Sequence, residues 1–156
     1  MNNITMGYKG SVKIKYKIKD KVIENYYHNV GLPNLFRIIS KALTGTDIYN
    51  ERPIKIDLRE YSDGEWHSLL NSGGVASGLS YMQDSLGDWV TRATTTISYS
   101  QLKTTSFSSE GTYALYLVSQ VGDLATLSVS GDDLSKIEQG TQALIEWTLK
   151  ITNATS

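Results

Sequence analysis

The chain has 156 residues, a length that fits one domain and would cramp two independent cores. It contains no cysteine, which excludes a disulfide scaffold, a thiolate nucleophile and any Cys-ligated metal or iron–sulfur site. Fifteen Lys and Arg against sixteen Asp and Glu leave a net charge of -1, so global charge points to neither a nucleic-acid nor a membrane partner.

The first segment, Val12-Lys13-Ile14-Lys15-Tyr16-Lys17-Ile18-Lys19, alternates apolar and Lys side chains without a break. Period two predicts a strand with one apolar face and one lysine face. A turn at Asp20-Lys21 and the β-rich run Val22 to Tyr27 complete a hairpin. Met1 to Thr5 has neither a basic start nor an apolar run, so no signal peptide is expected.

From Leu32 the pattern changes. Leu35, Phe36, Ile38, Ile39, Ala42 and Leu43 fall at helical spacing, with Pro33 suited to the first turn and Gly45 to the stop. Ile54, Ile56 and Leu58 then alternate with Lys55, Asp57 and Arg59, which predicts another half-buried strand. Residues 62–87, rich in Gly, Ser and Asn, read as one long irregular loop that is either functional or partly mobile. Beyond it Trp89 to Tyr99, Tyr113 to Val118 and Ala125 to Val129 read as strands. The last strand places Ala143, Ile145, Trp147, Leu149 and Ile151 on one face, with Trp147 in the core.

About seven strands, one short helix after the N-terminal hairpin and no strand–helix alternation predict a mainly β fold. We read residues 1–156 as a single antiparallel β-sandwich carrying a long loop at 62–87.

Chemistry is sparse in this pattern. Asp57, Glu60, Asp63, Glu65 and His67 are the densest group of potential metal ligands, but their spacing matches no known loop, and no metal or cofactor is expected. Asp132-Asp133 after Gly131 reads as a turn rather than a calcium pair. No Gly-x-Ser-x-Gly elbow and no phosphate loop occurs, so no enzyme is expected. The candidate interface residues are Lys13, Lys15, Lys17 and Lys19, with Trp66 and Tyr81. The lysines either meet an acidic neighbour or form a solvated face that discourages edge-to-edge pairing. Trp66 and Tyr81 either anchor a partner or a sugar, or fold back to cap the sandwich. The lysine face lacks interleaved aromatics, which counts against single-stranded nucleic acid.

Five stretches taken together carry a family resemblance. They are His28-Asn29-Val30-Gly31, Leu35 to Gly45, Arg92 to Tyr99, Glu110-Gly111-Thr112-Tyr113 and Gly140 to Asn153. Their order resembles a group of tailed-bacteriophage virion proteins. In that group a hairpin, an Asn-x-Gly turn and a short helix precede a strand and a variable loop. An Arg-containing Thr-rich strand, an EG-x-Y strand and a final G-T-x-x-x-I-x-W-x-L-x-I-x-N strand follow. The chain departs from the group at Asp57-Leu58-Arg59, where a Gly-rich element is common. The resemblance implies a non-enzymatic structural component of a tail, collar or baseplate, made in host cytoplasm and located in the virion. Its implied partners are copies of itself and other virion proteins, with no nucleic acid and no membrane. A carbohydrate-binding or receptor-adhesion module, which would bind a glycan, and a capsid decoration protein are the alternatives.

Overall fold

Alternation along the longest strands dictates two faces each, and the chain buries one face of every such strand in a common interior. The computed structural model describes residues 7–28, 37–38, 40–42, 44, 47–76 and 78–154. Ten strands are formed among them: β1 (Gly7–Ile18), β2 (Lys21–His28), β3 (Pro53–Ser62), β4 (Glu65–Ser68), β5 (Val75–Ala76), β6 (Gly78–Gln83), β7 (Trp89–Ser98), β8 (Thr112–Ser119), β9 (Gly122–Val129) and β10 (Gln142–Ala154). They make two five-stranded antiparallel sheets. One has the order β2-β1-β10-β7-β6; the other has the order β4-β3-β8-β9, with β5 pairing β3. The expected β-sandwich is the observed architecture.

The first and last strands pair with each other at the centre of the first sheet, from Gly7 opposite Ala154 to Ile18 opposite Ala143. Val12, Ile14, Tyr16 and Ile18 thereby face inward beside Ala143, Ile145, Trp147, Leu149 and Ile151, and all nine are buried. The second sheet closes the core with Ile56, Leu58, Leu115, Leu117, Leu127 and Val129. Of the expected helix, residues 37, 38 and 40–42 are helical, with Ile38 and Ala42 buried one turn apart. Its remaining positions, and the Asn29-Val30-Gly31 turn, lie outside the described residues.

The stretch at 62–87 corrects the expectation of a single loop, because β4, β5 and β6 lie within it. Asp63 and Gly64 both take positive φ, 54° and 81°, and form the two-residue turn of a β3–β4 hairpin. An Asp-Gly pair favours that turn because its twist matches the strands it joins. The strands it introduces are short and lie at sheet edges, so one-sided burial never imprints an apolar alternation on them. The first hairpin turn is likewise shifted by one residue. Ile18 pairs with Lys21, and Lys19-Asp20 makes the turn with Lys19 at φ 52°.

Gly131 opens a four-residue helix, Gly131–Leu134, whose N-cap Ser130 accepts the Asp133 N–H at 3.1 Å. A side chain at Gly131 would place its Cβ 1.9 Å from the Ser108 carbonyl oxygen, so the helix start packs directly on the 108–111 turn. Asp133 is buried, and the Tyr16 hydroxyl donates to it at 2.6 Å, tying β1 to this helix. The expected turn at Asp132-Asp133 is therefore a capped helix with a core-facing carboxylate.

Burial alone would raise the Asp133 carboxyl. Hydrogen bonds from Tyr16 and Ser130, with Lys21 and Lys136 nearby, outweigh it and hold the group below the ordinary aspartate value. A depressed carboxyl contributes stability above its unfolded value, near 4, and that contribution is lost as pH falls through the lower folded value. Denaturant unfolding of Asp133→Asn against the native chain is expected to show a deficit at pH 7 that shrinks steadily below pH ~4. A deficit independent of pH would exclude the ionised pairing.

Two inward-facing polar atoms, Thr95 Oγ1 and Trp147 Nε1, are buried without a hydrogen-bond partner among the described residues. The hydroxyl carries a desolvation cost that an isosteric methyl would not. Thr95→Val is expected to raise unfolding stability by about 1 kcal/mol. Trp147→Ala is expected to lower it by about 3–5 kcal/mol, since it empties the centre of the core. Thermal melts of both variants check the pair.

Candidate interaction surfaces

The lysine face of β1 looks outward from the first sheet, as its period requires, but β1 is an interior strand flanked by β2 and β10. The reading of these lysines as guards of a free edge is corrected by that position. Lys13 stands across from Tyr26 and reaches Glu24 at 3.6 Å, and Lys15 stands across from Glu146 at 3.7 Å. Lys17 lies between Val22 and Leu144 on the neighbouring strands. Lys19 belongs to the turn and pairs with Glu138. The face thus presents alternating signs rather than a uniform positive field. Water and salt screen these exposed pairs, so they contribute little to stability.

Trp66 and Tyr81 do not share a surface. Trp66 is on β4, at the edge of the second sheet, and Tyr81 is on β6, at the edge of the first. Tyr81 packs against the core, stacks on Trp89 with ring centroids 5.4 Å apart, and meets the edge of Tyr49. Its hydroxyl donates to Asp47 Oδ1 at 2.9 Å, and burial together with that bond raises the phenol. Arg52 covers the other ring of the group, with its guanidinium carbon 3.6 Å from the Tyr49 centroid. Tyr81 therefore caps the interior, one of its two expected roles.

Trp66 sits in a different environment, on the solvent side of the second sheet. Tyr61 is its cross-strand partner, with ring centroids 5.3 Å apart, and Tyr116 on β8 meets it at 5.4 Å, both edge to face. The Arg59 guanidinium lies 4.1 Å from the Tyr116 centroid. It donates to Asp57 Oδ2 at 2.8 Å and forks onto both oxygens of Asp123 at 2.9 and 3.1 Å. Ser68 donates to the other Asp57 oxygen at 2.7 Å. Burial alone would lower the guanidinium, but the bonds to Asp123 and Asp57 outweigh it and raise Arg59 above its ordinary value. This network explains why Ala114, Tyr116 and Val118 are buried on the outer face of a sheet. Its exposed tip is the pair Tyr61 and Trp66, 44% and 39% accessible.

The sequence pattern separated Asp57 and Arg59 from the core but did not assemble this network. The period-two alternation places Asp57, Arg59 and Tyr61 on one face, whereas Asp123 arrives from β9, two strands away. Asp57 is also removed from the suspected ligand group by its bonds to Arg59 and Ser68. His67 alternates with Trp66 and lies with Nε2 3.2 Å from the Ser62 carbonyl oxygen. Among the described residues no group of three or more His, Asp or Glu is placed to hold a metal ion, and no helix is long and apolar enough to cross a membrane.

Removing Arg59 would leave the nearly inaccessible Asp57 carboxylate with only Ser68. Arg59→Ala is expected to cost about 3–5 kcal/mol in denaturant unfolding. Arg59→Lys should recover only part of that, because an ammonium cannot fork onto Asp123 while covering Tyr116. Trp66→Ala, at a half-exposed edge, is expected to cost about 1 kcal/mol or less.

Comparison of the chain with protein-family models, with curated proteins and with solved structures returns no match in any of the three.

Proposed function

We propose that this chain is a non-enzymatic structural component of a phage-like virion, placed in the tail, collar or baseplate and assembling by symmetric protein–protein contacts. The observation that carries the reading on the structural side is the exposed Tyr61–Trp66 pair, held rigid from below by Arg59 and Tyr116. Tyr, Trp and Arg are the residues that dominate interface energetics, and a preorganised aromatic pair loses little side-chain freedom on docking. The polar groups beneath it, Arg59, Asp57, Asp123 and Ser68, are already paired with one another, so the tip offers apolar ring area with only the Tyr61 hydroxyl and the Trp66 indole N–H as polar handles. That chemistry suits a protein neighbour.

The resemblance to virion proteins supports the same reading, and its positions have identifiable structural work. Gly111 lies under the ring of Tyr113, where an added Cβ would come within 2.6 Å of the ring carbons. The Ser108 N–H donates to the Tyr113 hydroxyl at 3.0 Å, so the EG-x-Y segment locks a turn onto β8. Gly140 takes φ 87° to turn the chain into β10. Such a framework leaves the surface free to vary with the neighbour. The alternating Lys and Glu face of the first sheet is a second contact surface of this kind, complementary only to a neighbour with matching alternation.

Quantitative mass spectrometry of purified particles from the source tests the placement. The expected result is a small copy number set by the symmetry of a tail, collar or baseplate. Hundreds of copies would assign a capsid decoration instead, and absence from particles would overturn the virion reading. Tyr61→Ala/Trp66→Ala should fold normally yet enter particles at least tenfold less often.

A further inference from the structure

The start of β10 and the end of β7 frame an open groove of about 490 Å³. One wall is Ser98, Tyr99 and Ser100; the other is Gln139, Thr141 and Gln142. We infer that this groove is a binding site for a neutral saccharide, a site separate from the aromatic tip on the second sheet.

The lining contains no charged side chain. An anion would find no cation there, and a cation no carboxylate. The nearest carboxylate in sequence, Glu138, is engaged by Lys19. A wholly apolar ligand would leave the hydroxyls and amides unpaired, whereas an amphipathic one meets both the polar and the apolar parts of the lining. A sugar hydroxyl both donates and accepts, and it is matched by groups that do the same, here the Gln139 and Gln142 amides. Tyr99 contributes a half-buried ring beside them.

The groove is built rather than accidental in its backbone. Ser98 holds the Tyr99–Gln101 turn through two bonds to Gln101 Oε1, its N–H donating at 2.8 Å and its hydroxyl at 3.0 Å. Thr141 Oγ1 accepts the Glu138 N–H at 2.7 Å and donates to the Glu138 carbonyl at 2.7 Å, closing the facing turn. Tyr99 N–H donates to the Thr141 carbonyl, which fixes the distance between the walls. Ser98, Gln101 and Thr141 therefore hold the shape. The exposed Gln139 and Gln142 side chains are not spent on it.

An open groove with few hydrogen bonds competes with water at every contact, so a dissociation constant on the order of 1 mM is expected for one site. Repetition around a symmetric particle would multiply such weak sites, a consequence that rests on the virion reading. The binding itself does not.

Amide-resolved NMR titration of the whole chain with maltotriose, and separately with the N-acetylglucosamine trimer, tests the inference. Shifts should concentrate at 98–100 and 139–142 with at least one of the two sugars. Gln139→Ala/Gln142→Ala should weaken that sugar at least tenfold, with the rest of the spectrum unchanged. Trp66→Ala should leave the affinity as it is. Absence of shifts with both sugars would overturn the site, as would binding that survives the double substitution or is lost in Trp66→Ala. Shifts in the groove with a neutral Gly-Ser peptide but neither sugar would reassign it to backbone recognition and overturn the saccharide. Particle counts are unaffected by any of these results, so the two proposals fail independently.

Discussion

The pairing of β1 with β10 is the constraint on which the other features depend. It joins the two ends of the chain in the middle of a sheet, over a separation of more than 120 residues. Such a pairing raises the share of non-local contacts, the class that is slowest to form in folding. Once formed, the pair presents Val12, Ile14, Tyr16 and Ile18 beside the Trp147 face as one inward layer. It turns the lysines outward in the same act. It also brings the Tyr16 hydroxyl to Asp133, and it places Gln142 opposite Ser98 through the next pairing, with β7.

Charge is used in two distinct ways on this frame. On the first sheet, Lys13 with Glu24 and Lys15 with Glu146 are wet pairs that adjust the surface without holding it together. On the second sheet, Arg59 binds two carboxylates and an aromatic ring, and one of those carboxylates, Asp57, is nearly inaccessible to water and needs its partners. The second arrangement converts the outer face of β3, β8 and β9 into a rigid unit. A sandwich sheet with one solvated side would otherwise carry independent side chains there.

That rigidity links architecture to the proposed role. A module that repeats by symmetry must present the same surface in every copy, and a surface whose side chains are locked by their neighbours does so at low entropic cost. The aromatic tip and the neutral groove divide the chemistry of recognition between them. One offers mainly apolar ring area; the other offers the Gln139 and Gln142 amides beside a single ring.

Strong alternation made β1, β3, β9 and β10 legible, because burial of one face of a strand forces a period of two, while β7 and β8 were legible from their β-rich composition. The core role of Trp147 and the sandwich class followed from the same rule. The hairpin at Asp63-Gly64 was also written in the residues, but β4 and β6 are short edge strands whose faces lack one-sided burial, and the Gly and Ser between them read as loop. The sequence by itself determined which residues point inward along each long strand, since that depends only on neighbours in the chain. Only the tertiary structure decided which strands lie side by side. That choice put Asp123 on Arg59, parted Trp66 from Tyr81, matched lysines with glutamates and opened the groove between 98–100 and 139–142. Strand order sums many weak long-range contacts, and no local pattern encodes it.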